Sequence, residues 1–257
     1  MTAPLPVLFV GHGSPMNAIE DTPFRRAWTE LGAALPRPRA ILCVSAHWET
    51  RGVALTASER PETIHDFGGF PQALFDVRYP APGAPWLAKR AAELLADTRP
   101  VLDPTRGLDH GAWGMLVALY PQADVPVVQL SLDVNRTPAQ HYALAQALGP
   151  LRDEGVLVVA SGDIVHNLRA ADFRRPEAPD WAVRFDKRAL ELVQARDHAA
   201  LIDYPALGPD AMKAIPTPEH YLPLLYALAL QRPGEEARVF NEAVFAAISM
   251  TSLVIGG

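Results

Sequence analysis

Apolar, largely β-branched runs recur along the chain, separated by stretches whose apolar residues fall at helical spacing. Val7-Leu8-Phe9-Val10, Ile41-Leu42-Cys43-Val44, Val156-Leu157-Val158-Val159 and the segment 125–132 are such runs. They predict strands buried on both faces, as in a parallel sheet. Shorter apolar segments predict lesser strands at 52–56 and 101–102, and a last one at 249–255. Between them, Phe24, Ala27, Trp28 and Leu31 mark a helix over 23–35, which Pro36 and Pro38 stop before the strand at 40–44. Further helices are predicted at 85–95, with proline at its favoured start, and at 113–120, 138–151 and 181–193. Thr217-Pro218-Glu219-His220 has the form of a cap with proline in the first turn. It opens an apolar helix through Leu222, Leu224, Leu225, Ala227 and Leu228, and places His220 in that first turn. No repeat, low-complexity tract or compositional shift divides the chain. The alternation predicts one α/β domain over residues 1–257, with a central mixed, largely parallel sheet flanked by helices.

Composition narrows the function without naming it. The 257 residues are 49% hydrophobic and 20% charged, enough for a sizeable core. A formal net charge of −6 and the lack of any Lys/Arg cluster argue against nucleic acid as a partner. Cys43 is the only cysteine and lies inside an apolar run, which excludes an internal disulfide framework and predicts a buried thiol. The first residues carry no basic segment followed by a long apolar one, so no signal peptide is expected. The uncharged tail 243–257 is about fifteen residues long, short of the roughly twenty needed to span a bilayer. A soluble protein of the reducing cytoplasm, with no membrane partner, is the expectation.

Histidine placement changes the picture most. His12, His47 and His166 each follow one of the buried runs, and ligand sites in open α/β sheets collect beyond the carboxyl ends of the strands. Histidines far apart in sequence are thus expected to converge at one sheet edge, which points to a metal. In Gly11-His12-Gly13-Ser14-Pro15 the glycines allow a sharp turn beside a ligand, and no Walker ending follows. His47 lies in Ser45-Ala46-His47-Trp48, with an aromatic ring beside it. Imidazoles at strand ends are a common source of metal ligands. His166, after Ser161-Gly162-Asp163 and before Asn167, suits either ligation or acid–base work. His220 and Glu219 are two candidate ligands one residue apart, and Asp109 stands next to His110 at a turn entering a helix. His141 and His198 have no convergent partner and are expected to be structural. Gly-x-Ser-x-Gly, His-Glu-x-x-His and Cys-x-x-Cys are all absent, which argues against a serine or cysteine hydrolase and against the commonest zinc motifs.

Taken together, these segments form a family pattern. Gly11-His12-Gly13-Ser14-Pro15-Met16-Asn17, Ser45-Ala46-His47-Trp48 and Thr63-Ile64-His65-Asp66-Phe67-Gly68-Gly69-Phe70-Pro71 resemble the class III extradiol ring-cleavage dioxygenases. The similarity is greatest to the 4,5-DOPA dioxygenase extradiol branch. Tyr79-Pro80-Ala81-Pro82-Gly83, Asp109-His110-Gly111-Ala112-Trp113-Gly114, Ser161-Gly162-Asp163-Ile164-Val165-His166-Asn167 and 216–225 extend it in order over nearly the whole chain. The resemblance implies a three-layer α/β domain, a mononuclear non-haem Fe(II), and cleavage of a small catechol, DOPA or a related phenolic acid, beside its hydroxyls with insertion of O2. It implies His12 and His47 as metal ligands, His166 as acid–base and His110 as a contact to substrate and oxygen. The third ligand of the wider family is a glutamate. Here the matching stretch reads Pro218-Glu219-His220, and His220 is the better ligand, with Glu219 the other candidate. Three histidines are also a zinc set, with a fourth position open to His166. His65, Phe70, Trp113 and Tyr221, with Trp48 beside them, are the candidates for a substrate wall. Two rival readings accompany this one: a zinc hydrolase using the same histidines, and a non-catalytic binding protein of the Memo type.

Overall fold

A computed structural model describes residues 4–174 and 177–257. The strands are β1 (Val7–Gly11), β2 (Ala40–Thr50), β3 (Ala54–Thr56), β4 (Val101–Asp103), β5 (Val127–Asp133), β6 (Val156–Gly162), β7 (Ala237–Asn241), β8 (Val244–Phe245), β9 (Ile248–Ser249) and β10 (Ser252–Ile255). The α-helices are α1 (Pro23–Ala34), α2 (Gln72–Phe75), α3 (Pro85–Leu94), α4 (His110–Leu119), α5 (Pro138–Gln146), α6 (Asp180–Gln194), α7 (His198–Ile202), α8 (Pro209–Ala214) and α9 (Leu222–Ala229). Eight strands form one sheet in the order β4-β3-β5-β2-β6-β1-β10-β7, and β8 and β9 form a separate ribbon. The four central strands β5, β2, β6 and β1 are mutually parallel. Antiparallel pairing enters at both flanks, through β10 and β7 on one side and between β3 and β5 on the other.

The three layers follow from side-chain alternation along fully buried strands. Leu8, Val10, Ile41, Cys43, Leu157 and Val159 face the layer of α1 and α4, packing with Trp28, Trp113 and Leu116. Val7, Phe9, Leu42, Val44, Val158 and Ala160 face the other way, onto Leu87 and Ala91 of α3, Leu144 of α5, Phe185 of α6 and Leu224 and Leu225 of α9. Cys43 is a buried free thiol in the first of these cores. No helix among the described residues is long and apolar enough to cross a membrane.

Several boundaries depart from expectation, each for a local reason. β2 continues through His47 to Thr50, bulging between Val44 and Glu49 where it pairs with β5. The helix expected at 113–120 begins three residues earlier, because the Asp109 carboxylate accepts the Ala112 N–H and caps it. α5 ends at Gln146, and Gly149-Pro150 open a short 3-10 turn instead of prolonging it. α9 starts only at Leu222, so His220 sits in the turn before the helix and not in its first turn. The N–H groups of Tyr221 and Leu222 both go to Pro218 O there. The run at 249–255 is split between β9 and β10, with Ala246 and Ala247 in positive-φ conformation just ahead of β9. The edge strand β7, interrupted by Arg238, carried no expectation.

Candidate metal centre

Sheet order brings the histidines together. β6 lies between β1 and β2, with Gly11 opposite Gly162 and Ser45 opposite Ser161, so three strands far apart in sequence end side by side. His12 follows β1, its N–H donating to Gly162 O at 3.2 Å. His47 projects from the far end of β2. His220 is brought over the end of β6 by the Asp163 N–H, which donates to His220 O at 2.8 Å. Gly162 is required at that contact, since a Cβ there would lie 2.2 Å from His220 O. His166 comes after β6, its N–H donating to Ala214 O. His110 is the first residue of α4.

The rings of His12, His47 and His220 have centroids 4.9–5.4 Å apart, and His47 and His110 are 3.9 Å apart. His12 Nε2 and His47 Nε2 are 3.1 Å apart. The Ser161 hydroxyl donates to Gly111 O, so at its other side it accepts from His12 Nδ1–H at 3.0 Å. That fixes the His12 tautomer and leaves the Nε2 lone pair aimed at the cluster. Glu219 Oε1, 3.0 Å from His220 Nδ1, does the same for His220, whose Nε2 is buried with no hydrogen-bond partner among the described residues. His12 belongs to two groups whose donor atoms lie within 4.8 Å of one another: one with His47 and His110, one with Asp163 and His220. Burial holds the pKa of His12 and His220 well below the usual imidazole value, with the neighbouring imidazoles adding to it. Burial, then the nearby His110, brings His47 to about 3, and burial brings His166 to about 4. Neutral imidazoles at His12, His47 and His220, with the His220 ring nitrogen orphaned among the described residues, fit a divalent cation, because ligating histidines must be uncharged.

Asp66 places a carboxylate beside His47 and His110. Burial raises its pKa, but the imidazole and backbone N–H of His110 outweigh that and bring it to about 2. Its Oδ1 accepts the His110 N–H at 2.9 Å and lies 3.0 Å from His110 Nδ1, while Oδ2 is 3.6 Å from His47 Nδ1. Asp66 therefore orients His110, and Asp109 instead caps α4, holding Ser45 and Gln129 by hydrogen bonds.

Above the cluster opens a pocket of about 470 Å³. Its apolar walls are Pro15, Phe67, Phe70, Leu168, Phe173 and Ile248, and His12, His47, His110, His166 and His220 form its floor with Asp66. Of the expected substrate wall only Phe70 lines it. Trp113 is fully buried behind the wall, its indole N–H donating to Ile64 O and its ring 6.1 Å from Phe67. His65 packs on the far side of Phe67, with Nε2 3.1 Å from Val77 O. Tyr221 is buried in the opposite core, its hydroxyl donating to Leu201 O and its ring against Tyr204. Trp48 is buried beneath the Arg106 guanidinium. His141 and His198 are structural, paired with the hydroxyls of Tyr226 and Tyr142. Sequence reasoning gave no part to Asp66, Phe67 or Ser161. Asp66 and Phe67 lie inside a quoted motif, and Ser161 is the first polar position after the β6 run.

Comparison with known proteins supplies the family. Residues 6–250 match the family model described as the catalytic LigB subunit of aromatic ring-opening dioxygenase. The chain is 48% identical to a protein of Escherichia coli K12 named 4,5-DOPA dioxygenase extradiol, over 98% of this chain and 95% of the relative. It is 38% identical to a Beta vulgaris protein of the same name, over 91% and 90%. A crystal structure of an uncharacterized E. coli K12 protein superposes with a TM-score of 0.87 at 41% identity, covering 98% of this chain and all of that one. The chain belongs to the LigB family of aromatic ring-opening dioxygenases, the extradiol enzymes that its histidine motifs resemble.

Proposed function

We propose that this chain is an Fe(II)-dependent extradiol dioxygenase acting on a small catechol, of the DOPA type or a related phenolic acid, with O2 as co-substrate. The observation that carries the proposal is the gathering of the His12, His47 and His220 rings, with centroids 4.9–5.4 Å apart, on the floor of an apolar, aromatic-walled pocket. Its volume of about 470 Å³ suits one aromatic ring with a short substituent. His12, His47 and His220 would hold the ion. When bound, the metal supplies Lewis acidity that favours the catecholate at neutral pH and a common point for substrate and O2.

The remaining work belongs to the chain. Phe67, Phe70 and Ile248 give the substrate ring apolar contacts and keep water from it. His166 takes a proton from a catechol hydroxyl at a ring nitrogen and returns it later. It is neutral at working pH, as a base must be. Its ring lies parallel to that of His220, with centroids 3.4 Å apart and planes 9° apart. Stacked face to face on His220, the His166 ring would be free to exchange a proton with substrate while His220 helps hold the metal, which supports the acid–base role. His110, held by Asp66, presents its imidazole edge where charge develops on oxygen.

A three-histidine set also accepts zinc, so the isolated protein can carry either metal. Setting and substrate go together: a small catechol, O2 and a reducing cytoplasm that suits the lone buried thiol of Cys43. Oxygen uptake by apo-protein reloaded with Fe(II) or zinc, over a panel of catechols, tests the reading. Uptake with a yellow ring-opened product only in the iron form is expected, and no uptake with any catechol overturns it.

A further inference from the structure

The β8–β9 hairpin adopts a turn that its own residues disfavour. Val244 pairs with Ser249 and Phe245 with Ile248, leaving Ala246 and Ala247 as a two-residue loop with φ of 45° and 70°. Loops of that kind ordinarily take Asn-Gly, because side chains resist positive φ at both positions. Both alanines are buried, and the turn persists because its surroundings fix it. On one side, the Asn167 N–H donates to Ala247 O at 3.1 Å, the Ser249 N–H donates to Val165 O at 2.9 Å, and Ile248 bridges His166. On the other side stands α6. Its buried Asp186 accepts the Ser249 hydroxyl at Oδ1, 2.6 Å away, and the Thr251 hydroxyl at Oδ2, 2.8 Å away. Ser249 Oγ also accepts the Thr251 N–H, so one carboxylate fixes the chain over three residues. A buried carboxylate met by two neutral hydroxyls costs the fold more than an apolar side chain would. What it contributes is the position of this segment, which delivers Ile248 to the pocket wall and, through the Val165 and Asn167 backbone bonds, His166 to the floor.

We infer that Asp186 is a positioning residue for ring opening, clamping residues 247–251 so that Ile248 meets the substrate ring and His166 faces its hydroxyls. The inference rests on the reading of the site as an extradiol centre with His166 as its base. Asp186 itself lies outside the pocket lining. His12 has separate anchors, Gly162 O and Ser161 Oγ, so the clamp acts on substrate handling and not on metal affinity.

Asp186→Ala and the isosteric Thr251→Val test the clamp in iron-loaded protein, with Leu87→Ala in the α3 core as a control for lost stability alone. Asp186→Ala is expected to lower kcat per bound iron by about 10-fold or more. It should also raise KM about fourfold, the worth of one buried methylene. Thr251→Val should shift both in the same direction by less, and decides the matter if the alanine variant folds poorly. Asp186→Asn, whose amide can still bond both hydroxyls, is expected to recover most of the loss. Leu87→Ala should melt lower with KM and kcat per iron unchanged. Zinc affinity of the clamp variants should stay within about threefold of wild type. Amide hydrogen exchange gives a readout independent of turnover: segments 165–167 and 247–251 should lose protection in both clamp variants. Unchanged KM and exchange in both, a KM raised equally by Leu87→Ala, or a zinc affinity that falls along with kcat overturns the inference. A wild-type protein that turns over no catechol overturns the reading of the site, and this inference with it.

Discussion

Ser161→Ala probes how the chain prepares His12. The hydroxyl has two partners: it donates to Gly111 O and accepts from His12 Nδ1–H, all within a region closed to solvent. Alanine removes both bonds and leaves a buried carbonyl and a buried ring N–H unpaired, which costs about 1–3 kcal/mol. Once unpaired, the His12 proton is free to move to Nε2, the atom that faces His47 at 3.1 Å and is needed for the metal. Loss of such an orienting partner lowers metal affinity about 10–100-fold, or roughly 1.4–2.8 kcal/mol of binding. The readout is a zinc competition titration of the apo-protein at neutral pH, paired with thermal melting in the metal-free state. We expect weaker binding together with a melting temperature lower by a few degrees, as about 1–2 kcal/mol produces in a chain of this size. Wild-type zinc affinity in S161A, with the melting temperature lowered as expected, would refute the idea that Ser161 sets the tautomer. Ser161 would then be a packing residue only.

Three further outcomes follow from the same geometry. His166→Gln should lower kcat by about 10²–10⁴-fold while metal content stays at the wild-type level, and a variant that loses its metal instead would make His166 a ligand. Gly111→Ala places a Cβ 2.4 Å from Ser45 Oγ and 2.8 Å from His47 Cδ2, so His47 must shift. A loss of oxygen uptake on the order of 10²-fold with an unchanged circular dichroism spectrum is expected, and near-normal turnover counts against a fixed His47. Asp186 is buried, and burial raises its pKa to about 6 despite hydrogen bonds from the Ser249 and Thr251 hydroxyls. Its folded pKa exceeds its unfolded one, so its stabilising contribution is complete below about pH 4 and is lost as pH rises through about 6, roughly 3 kcal/mol in all. Denaturant unfolding of wild type and Asp186→Asn from pH 4 to 8 should show the wild type losing about that much stability relative to the variant as pH rises, over a background from the buried histidines common to both, and parallel curves would contradict it.

What was legible in the sequence was whatever depends on periodicity. Buried runs ending at Val10, Val44 and Val159 located β1, β2 and β6 and put His12, His47 and His166 beyond or near their ends. No one-dimensional pattern shows that β6 inserts between β1 and β2, yet that insertion is what makes the three ends one site. The aromatic wall shows the opposite case. Trp113 and Tyr221 sit close to histidines in sequence, but a helix-forming stretch that is apolar all round does not declare which side meets the pocket. Trp113, within the almost wholly buried α4, went to one core and Tyr221 to the other. Phe67 and Phe70, on the loop beyond β3, are only partly buried against the core of α1 and α4 and so also reach the pocket. The least legible residues are those whose role lies in an unfilled valence. Ser161 and Asp163 look like ordinary polar residues at a strand end, where hydrogen bonding is usually satisfied by neighbours. Only in three dimensions does the Ser161 hydroxyl prove to be committed to Gly111 O, or Asp163 Oδ2 and His220 Nε2 to be buried with no hydrogen-bond partner among the described residues. A pattern of residue types reports which groups are near a site. Which of them still lack a partner is decided by the fold, and in this chain those atoms converge at the histidine cluster.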